Sequence, residues 1–420
     1  MDHVDTVVIG AGHAGLGVSH ELAAAGIDHV VLERGRIGET WRSQRWATFR
    51  LNTPNWMNRL PGEADPGPGS RDAFQSAPEF AERLEAYASR HGLPVHGQTR
   101  VTRVEASGEG LAIDVVEDGT QAPSRIGARS VIVASGIQNV GRTPAVAGEL
   151  PDDLTQLHAL DYRAPGDLQP GAVLVVGAGQ TGGQLVEDLL NAGRPVFWST
   201  SKVARCPRRY RGRDMLHWLV LAGFYDLPVE QLPDPAMRLA RQPLISGTGL
   251  GGHTLSIQSL AERGAVLVGR IRWADGHELV IDDTVGECIR FGDAGAASLR
   301  QIADAAIDRL GDRVEANADD PADQPFPDPD AVRTPDRLDL RDAGVRTVIW
   351  ATGVGGDFGW LPPVVLDADG APVHEAGVTA IPGLFVAGFP WLTNRGSGII
   401  YGAGGDARRI AALAAARSTT

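Results

Sequence analysis

Two glycine triplets in this chain have the spacing that holds a phosphate against backbone N–H groups. Gly10, Gly12 and Gly15 follow the apolar run that ends at Ile9, and Gly177, Gly179 and Gly182 repeat them without a gap 167 positions later. In a G-x-G-x-x-G turn the first glycine permits a tight bend, the second lets the backbone approach a pyrophosphate, and the third lets the following helix pack on the strand before it. The helix N-terminus supplies unpaired N–H groups and positive dipole. Eighteen positions after Gly15 stands Glu33, whose carboxylate suits a free ribose diol. The matching position of the second copy is Thr200, flanked by Ser199, Ser201 and Lys202, the one lysine of the chain. Hydroxyls and a cation there would hold a 2′-phosphate that a carboxylate would repel. Arg205, Arg208 and Arg209 follow and are expected to add to that anion site.

A further candidate is Asn52, in RLNTP. Its amide can both donate to and accept from a polar ligand without carrying charge, or it can stabilise a turn before Pro54. It lies in Gly38 to Gly62, a stretch with three tryptophans and too much glycine, proline and asparagine for long regular elements. Such an aromatic surface covers a core or faces a planar redox ring.

The elements that must position these residues are strand–turn–helix–strand units. Val7, Val8 and Ile9 are apolar and β-branched in succession, as in a parallel strand buried on both faces, and VLVVG at Val173 to Gly177 repeats the pattern. The fold class expected is therefore α/β with two Rossmann-like dinucleotide-binding domains. Ala77 to His91 reads as an amphipathic helix, and Thr99 to Glu105 with Leu111 to Glu117 as a hairpin pair. Three strand-like stretches end in glycine: Val131 to Gly136, Val348 to Gly353 and Gly383 to Gly388, the last before a glycine-rich segment and a C-terminal helix. Asp319 to Asp339, rich in proline, reads as an extended surface connector.

At 420 residues two domains are expected. The net charge of −13 argues against nucleic acid and anionic lipid as partners. No run approaches the ~20 apolar residues of a membrane span. The start, MDHVDTVVIG, has acids where a signal peptide needs bases, so a cytoplasmic location is expected. Cys206 and Cys288 form no CxxC and no metal-ligand spacing with the histidines, so ordinary thiols and no metal site are expected.

Two dinucleotide fingerprints, GETWR at Gly38 to Arg42, strands ending ASG and ATG, and HALDYR at His158 to Arg163 together make the chain resemble the class B flavoprotein monooxygenases over nearly its full length. That family comprises flavin-containing, Baeyer–Villiger and N-hydroxylating enzymes. The resemblance implies FAD on the first fingerprint and NADPH on the second, with the FAD domain interrupted by the NADPH domain: residues 1–168, 169–347 and 348–420. It implies FAD contacts at Gly10, Gly12, Gly15, Glu33, Arg34, Thr40, Trp41, Arg42, Val101, Ser135, Gly136, Gly388 and Ser397. NADPH contacts are implied at Gly177, Gly179, Gln180, Thr181, Gly182, Ser199, Thr200, Ser201, Lys202 and Arg208. Asn52 resembles the asparagine near the reactive flavin carbon of flavin-containing monooxygenases. The implied activity is oxygenation of a small nucleophilic nitrogen or sulfur substrate by O2 through a C4a-(hydro)peroxyflavin.

The motif FxGxxxHxxx(Y/F) is only partly present, since Asp152 and Leu154 replace Phe and Gly while His158, Tyr162 and Arg163 match. Tyr162 stands where Baeyer–Villiger enzymes carry tryptophan, which favours the heteroatom-oxidising branch. A flavin reductase or oxidase of the same fold, Baeyer–Villiger ketone oxygenation and a non-catalytic redox sensor stay open as alternatives, as does a homodimer.

Overall fold

The computed structural model describes residues 3–108, 110–120, 123–239, 243, 244, 247, 252–311, 314–316, 318 and 320–418. Parts of the Tyr210 to His253 stretch (240–242, 245, 246 and 248–251) and the connector's first residue, Asp319, lie outside the described residues.

Each glycine turn sits at the centre of its own sheet. In the first, the strand His3–Ile9 runs parallel to His29–Leu32 on one side and to Ser124–Val133 on the other. In the second, Ala172–Val176 lies between Val196–Ser199 and Val345–Trp350, also parallel. Val7, Val8, Val173 and Leu174 are fully buried, as strands covered on both faces require. The helices His13–Ala24 and Gln180–Asn191 leave the two turns. The hairpin forms as Thr99–Ser107 with Gly110–Glu117. The amphipathic helix is Ala77–Arg90, with His91 as its C-cap and a capping box between Ser76 and Glu79 fixing its start.

Ser124–Val133 serves two neighbours on the same side. Its first half pairs antiparallel with Gly110–Glu117, and its last three residues pair parallel with Leu384–Val386. The chain thus returns to the first sheet near its end, and the helix Ile400–Ser418 packs on His13–Ala24.

Two features are not visible in the local sequence pattern. Thr155–His158 and Val345–Trp350 pair with each other in the second sheet, so that sheet takes a strand from ahead of the second glycine turn and one from the chain's return. The Asp319 to Asp339 stretch is also more than a surface connector. Its Asp323 is buried against Arg205 and Arg300, two cations that need a partner, and Arg337–Asp339 adds a strand to Glu278–Asp282.

Candidate functional site

The two turns share their geometry. Gly10 and Gly177 have φ of +108° and +116°, which side chains on L-residues avoid, and a Cβ on Gly10 would lie 2.5 Å from the Ala134 carbonyl oxygen. Ala351 closes on Gly177 in the same way, so the ASG and ATG strand ends each brace one turn. A Cβ on Gly15 or Gly182 would overlap the carbonyl of Gly10 or Gly177. Gly15, Gly177 and Gly182 therefore act behind the ligand surface, through packing.

Gly12 and Gly179 behave differently. Each is the N-cap of its helix, each would place a Cβ within 4 Å of no protein atom, and both line one cavity of about 780 Å3. A third helix, Ile400–Ser418, starts on the same cavity. None of the three helices has an acidic residue in its first turn, so their positive ends face the space without a carboxylate of their own.

On the first side, Glu33 also lines the cavity. Its carboxylate accepts from Ala11 N at 2.8 Å and Gly35 N at 2.9 Å, which pins the turn and leaves acceptor capacity for a ribose. Arg34, Thr40, Trp41, Val101, Ser135, Gly136 and Gly388 line it as well. Arg42 and Ser397 do not. Arg42 turns to Glu85 at 2.8 Å, and the Ser397 hydroxyl accepts from Thr393 N at 3.0 Å and donates to Asp406 at 3.1 Å. Their neighbours Arg45 and Gly398 take the wall positions.

On the second side, Gly179, Gln180 and Thr181 reach the cavity, and the expected anion cluster does not assemble. The Ser199 hydroxyl donates to Gly269 O at 2.9 Å, and Thr200 is buried beneath Val268 O and the Cys288 thiol. Ser201 and Lys202 lie outside the cavity wall, and Lys202 is exposed and paired with Glu287 at 2.7 Å. Arg205 and Arg208 are buried beside Asp293 and Asp323, and Asp214, respectively. The cause is tertiary: the helix Val285–Leu310 supplies Glu287, Cys288 and Asp293, and so consumes the groups that the sequence alone leaves facing solvent.

Asn52 stands where the two halves meet. Its Oδ1 accepts from Gln184 Nε2 at 3.2 Å, and its main-chain oxygen accepts from Arg208 Nη1 at 2.8 Å. Arg208 is thus a brace for Asn52 and not a phosphate ligand. Trp46 and Phe49 meet edge to face at 5.0 Å, both buried and both on the cavity wall, so the tryptophan-rich stretch covers core and lines the site together.

Sequence reasoning missed several wall residues. Gln184 carried a signal, because it replaces Gly17 of the first copy. His13, opposite Gln180 in the repeat, was visible in the same way; burial pushes its imidazole down to about 4, so it is neutral at pH 7. Buried polar atoms of His13, Gln44, Trp46, Ser135, Asn139 and Gln184, all wall residues, have no hydrogen-bond partner. Together with the open space at Gly12 and Gly179, these orphan groups fit a polar ligand of dinucleotide kind.

The pyridine nucleotide-disulphide oxidoreductase family matches residues 7–212. An uncharacterized oxidoreductase CzcO-like of Geobacillus kaustophilus is 28% identical over 98% of each chain. The indole-3-pyruvate monooxygenase YUCCA1 of Oryza sativa is 28% identical over 68% of this chain and 71% of its own. A flavin-containing monooxygenase from Stenotrophomonas maltophilia has the same fold, with a TM-score of 0.66 at 18% identity and 99% of both chains covered. The fold is thus shared over the whole chain, and sequence likeness to a named monooxygenase extends over 68% of it. The protein is an oxidoreductase with the two-dinucleotide flavoprotein fold, and its likeness to these proteins implies FAD and NADPH. Among the described residues no helix is long and apolar enough to cross a membrane, and no cluster of ligating side chains could hold a metal ion.

Proposed function

We propose that this chain is an FAD-dependent, NADPH-consuming monooxygenase that places one oxygen atom of O2 on a nucleophilic nitrogen or sulfur of a small substrate. What supports this most is that Gly12, Gly179 and Asn52, from three separate segments, open into one cavity. FAD would be held along Gly12, Glu33, Trp41 and Ser135 toward Gly388 and Ile400, and NADPH over Gly179 to Thr181. Reduced by NADPH, the flavin supplies the electrons with which O2 is divided between substrate and water.

The chain's own residues bind, orient and exclude water. Backbone N–H groups at the two N-caps take the phosphates. Trp41, Trp46 and Phe49 keep water from the wall they form. Asn52 is fixed through Gln184 and Arg208, which leaves its amide N–H groups to donate to an oxygen-bearing ligand with no change of charge. A disulfide-reducing role, which the matching family's name invites, has no thiols to run it. Cys206 and Cys288 are both buried, and burial pushes the Cys206 thiol up to about 12.

The test is anaerobic reduction by NADPH, then air with a small amine or thioether. The flavin should bleach, and substrate should lower the H2O2 released per NADPH. Asn52→Ala should reduce its flavin at a near-normal rate while releasing more H2O2. A flavin that NADPH does not bleach would refute the proposal, and unchanged coupling in a folded Asn52→Ala protein would remove Asn52 from it.

A further inference from the structure

One wall of the cavity comes from an apolar cluster separate from the core of the first sheet. Leu216 and Leu219 of the helix Met215–Leu221, Leu299 of the helix Val285–Leu310, and Phe224 and Tyr225 pack there around Cys206. Arg395 stands against this wall. The guanidinium carbon of Arg395 lies 4.0 Å from the ring centre of Phe224 and 5.3 Å from that of Trp391. Its Nε is out of contact with water and has no hydrogen-bond partner.

Among the described residues no carboxylate pairs with Arg395, whereas the buried Arg205 and Arg208 each face an aspartate. The side chain is also held in place. Arg395 N donates to Leu227 O at 3.0 Å, Gly396 N to Tyr225 O at 2.8 Å, and Val229 N to Thr393 O at 3.0 Å. These bonds tie the loop that carries Arg395 to the segment that carries Phe224. Trp391 pays for the arrangement with a left-handed backbone, φ +55°.

A half-buried guanidinium with no counter-charge and one buried, unpartnered N–H is unfavourable, and its fork of donors matches a carboxylate. The dinucleotide phosphates have N–H sites of their own at Gly12 and Gly179, which leaves this cation for a third ligand. We infer that Arg395 anchors the substrate, and that the substrate is a small aromatic or other apolar molecule carrying a carboxylate. Leu216, Leu219, Phe224 and Tyr225 take its apolar body, and Arg395 takes its charge.

This inference rests on the reading of the cavity as the oxygenation site, but binding can be read without turnover. The flavin-loaded protein is titrated with 3-phenylpropionate and with its neutral isostere 3-phenylpropanamide, followed by calorimetry and the flavin absorbance. Wild type should bind the acid about tenfold to hundredfold tighter. Arg395→Gln should abolish that difference while keeping flavin content and spectrum, and Arg395→Lys should keep part of it. Equal binding of the two probes by wild type, binding of neither, a preference that survives in Arg395→Gln, or loss of flavin from both variants would overturn the assignment. A protein that binds the acid through Arg395 yet oxygenates no carboxylate-bearing amine or thioether would sink the monooxygenase reading and leave this one standing.

Discussion

Gly12 and Gly179 cap equivalent helices over the same cavity, yet the strand ends beside them are finished in opposite ways. In the first half the residue after the strand, Glu33, keeps its carboxylate at the cavity edge and uses it to pin the turn. In the second half the aligned Thr200 is buried under its neighbours, and the nearest cation, Lys202, has swung out to Glu287. The difference follows from one packing event. The helix Val285–Leu310 lies against the second site and brings Glu287, Cys288 and Asp293 with it. A duplicated turn therefore keeps what depends on main-chain N–H groups and a missing Cβ, and side-chain chemistry at its rim is set afresh by what packs there.

The sharpest way to break the comparison is to fill both cradles. Since a Cβ on Gly12 or Gly179 meets no protein atom, valine there should leave the flavin-free fold intact while displacing a phosphate. Gly12→Val should purify without FAD. Gly179→Val should keep FAD and lose at least about a hundredfold in kcat/KM for NADPH, the loss expected from charge-assisted hydrogen bonds worth 1.5 to 3 kcal/mol each. Full flavin occupancy in Gly12→Val, read by absorbance, would remove the first turn as the FAD site.

Arg208 distinguishes the two accounts of the second rim. As a buried partner of Asp214, 2.9 Å away, and brace of Asn52, its change to methionine should destabilise the fold by about 3 to 5 kcal/mol. A phosphate ligand would instead raise KM for NADPH and leave Tm alone, so thermal unfolding with cofactor kinetics decides between them.

His13 and Gln180 occupy the same place in the two copies, and only the first titrates. Because burial lowers the His13 pKa from 6.5 to about 4, the unfolded chain takes up a proton in that window that the folded chain refuses. Stability should be unaffected above pH 6.5 and fall as pH drops toward 4, by at most about 3 kcal/mol for this group. His13→Gln, which installs the residue of the second copy, should flatten that fall. Identical Tm losses between pH 7 and 4.5 in the two flavin-free proteins would contradict it.

The smallest effect belongs to Lys202 and Glu287. An exposed pair contributes about 0 to 1 kcal/mol, so Lys202→Ala should lower the preference for NADPH over NADH only about twofold to fivefold. Glu287→Gln, which frees the ammonium, should raise it by a similar factor. A much larger loss in Lys202→Ala would mean that the lysine leaves Glu287 for a 2′-phosphate when the cofactor binds.

The sequence by itself determined the two strand–turn–helix units, the hairpin, the capped helix after Ser76 and the repeat that relates the halves. Each of these is fixed by residues a few positions apart: a Cβ that would overlap a carbonyl, a side chain that caps its own helix, an alternation that buries one face. It also pointed to Asn52 and, with the family resemblance, to Glu33, Trp41, Ser135 and Gly388, which stand on the cavity wall. Only the tertiary structure decided that Asn52 meets Gln184, 132 positions away, that Arg205 and Arg208 face aspartates and not phosphates, and that Arg395 is left unpaired against Phe224. Whether a charged side chain is spent or available depends on which distant carboxylate the packing brings within reach, and no local spacing encodes that.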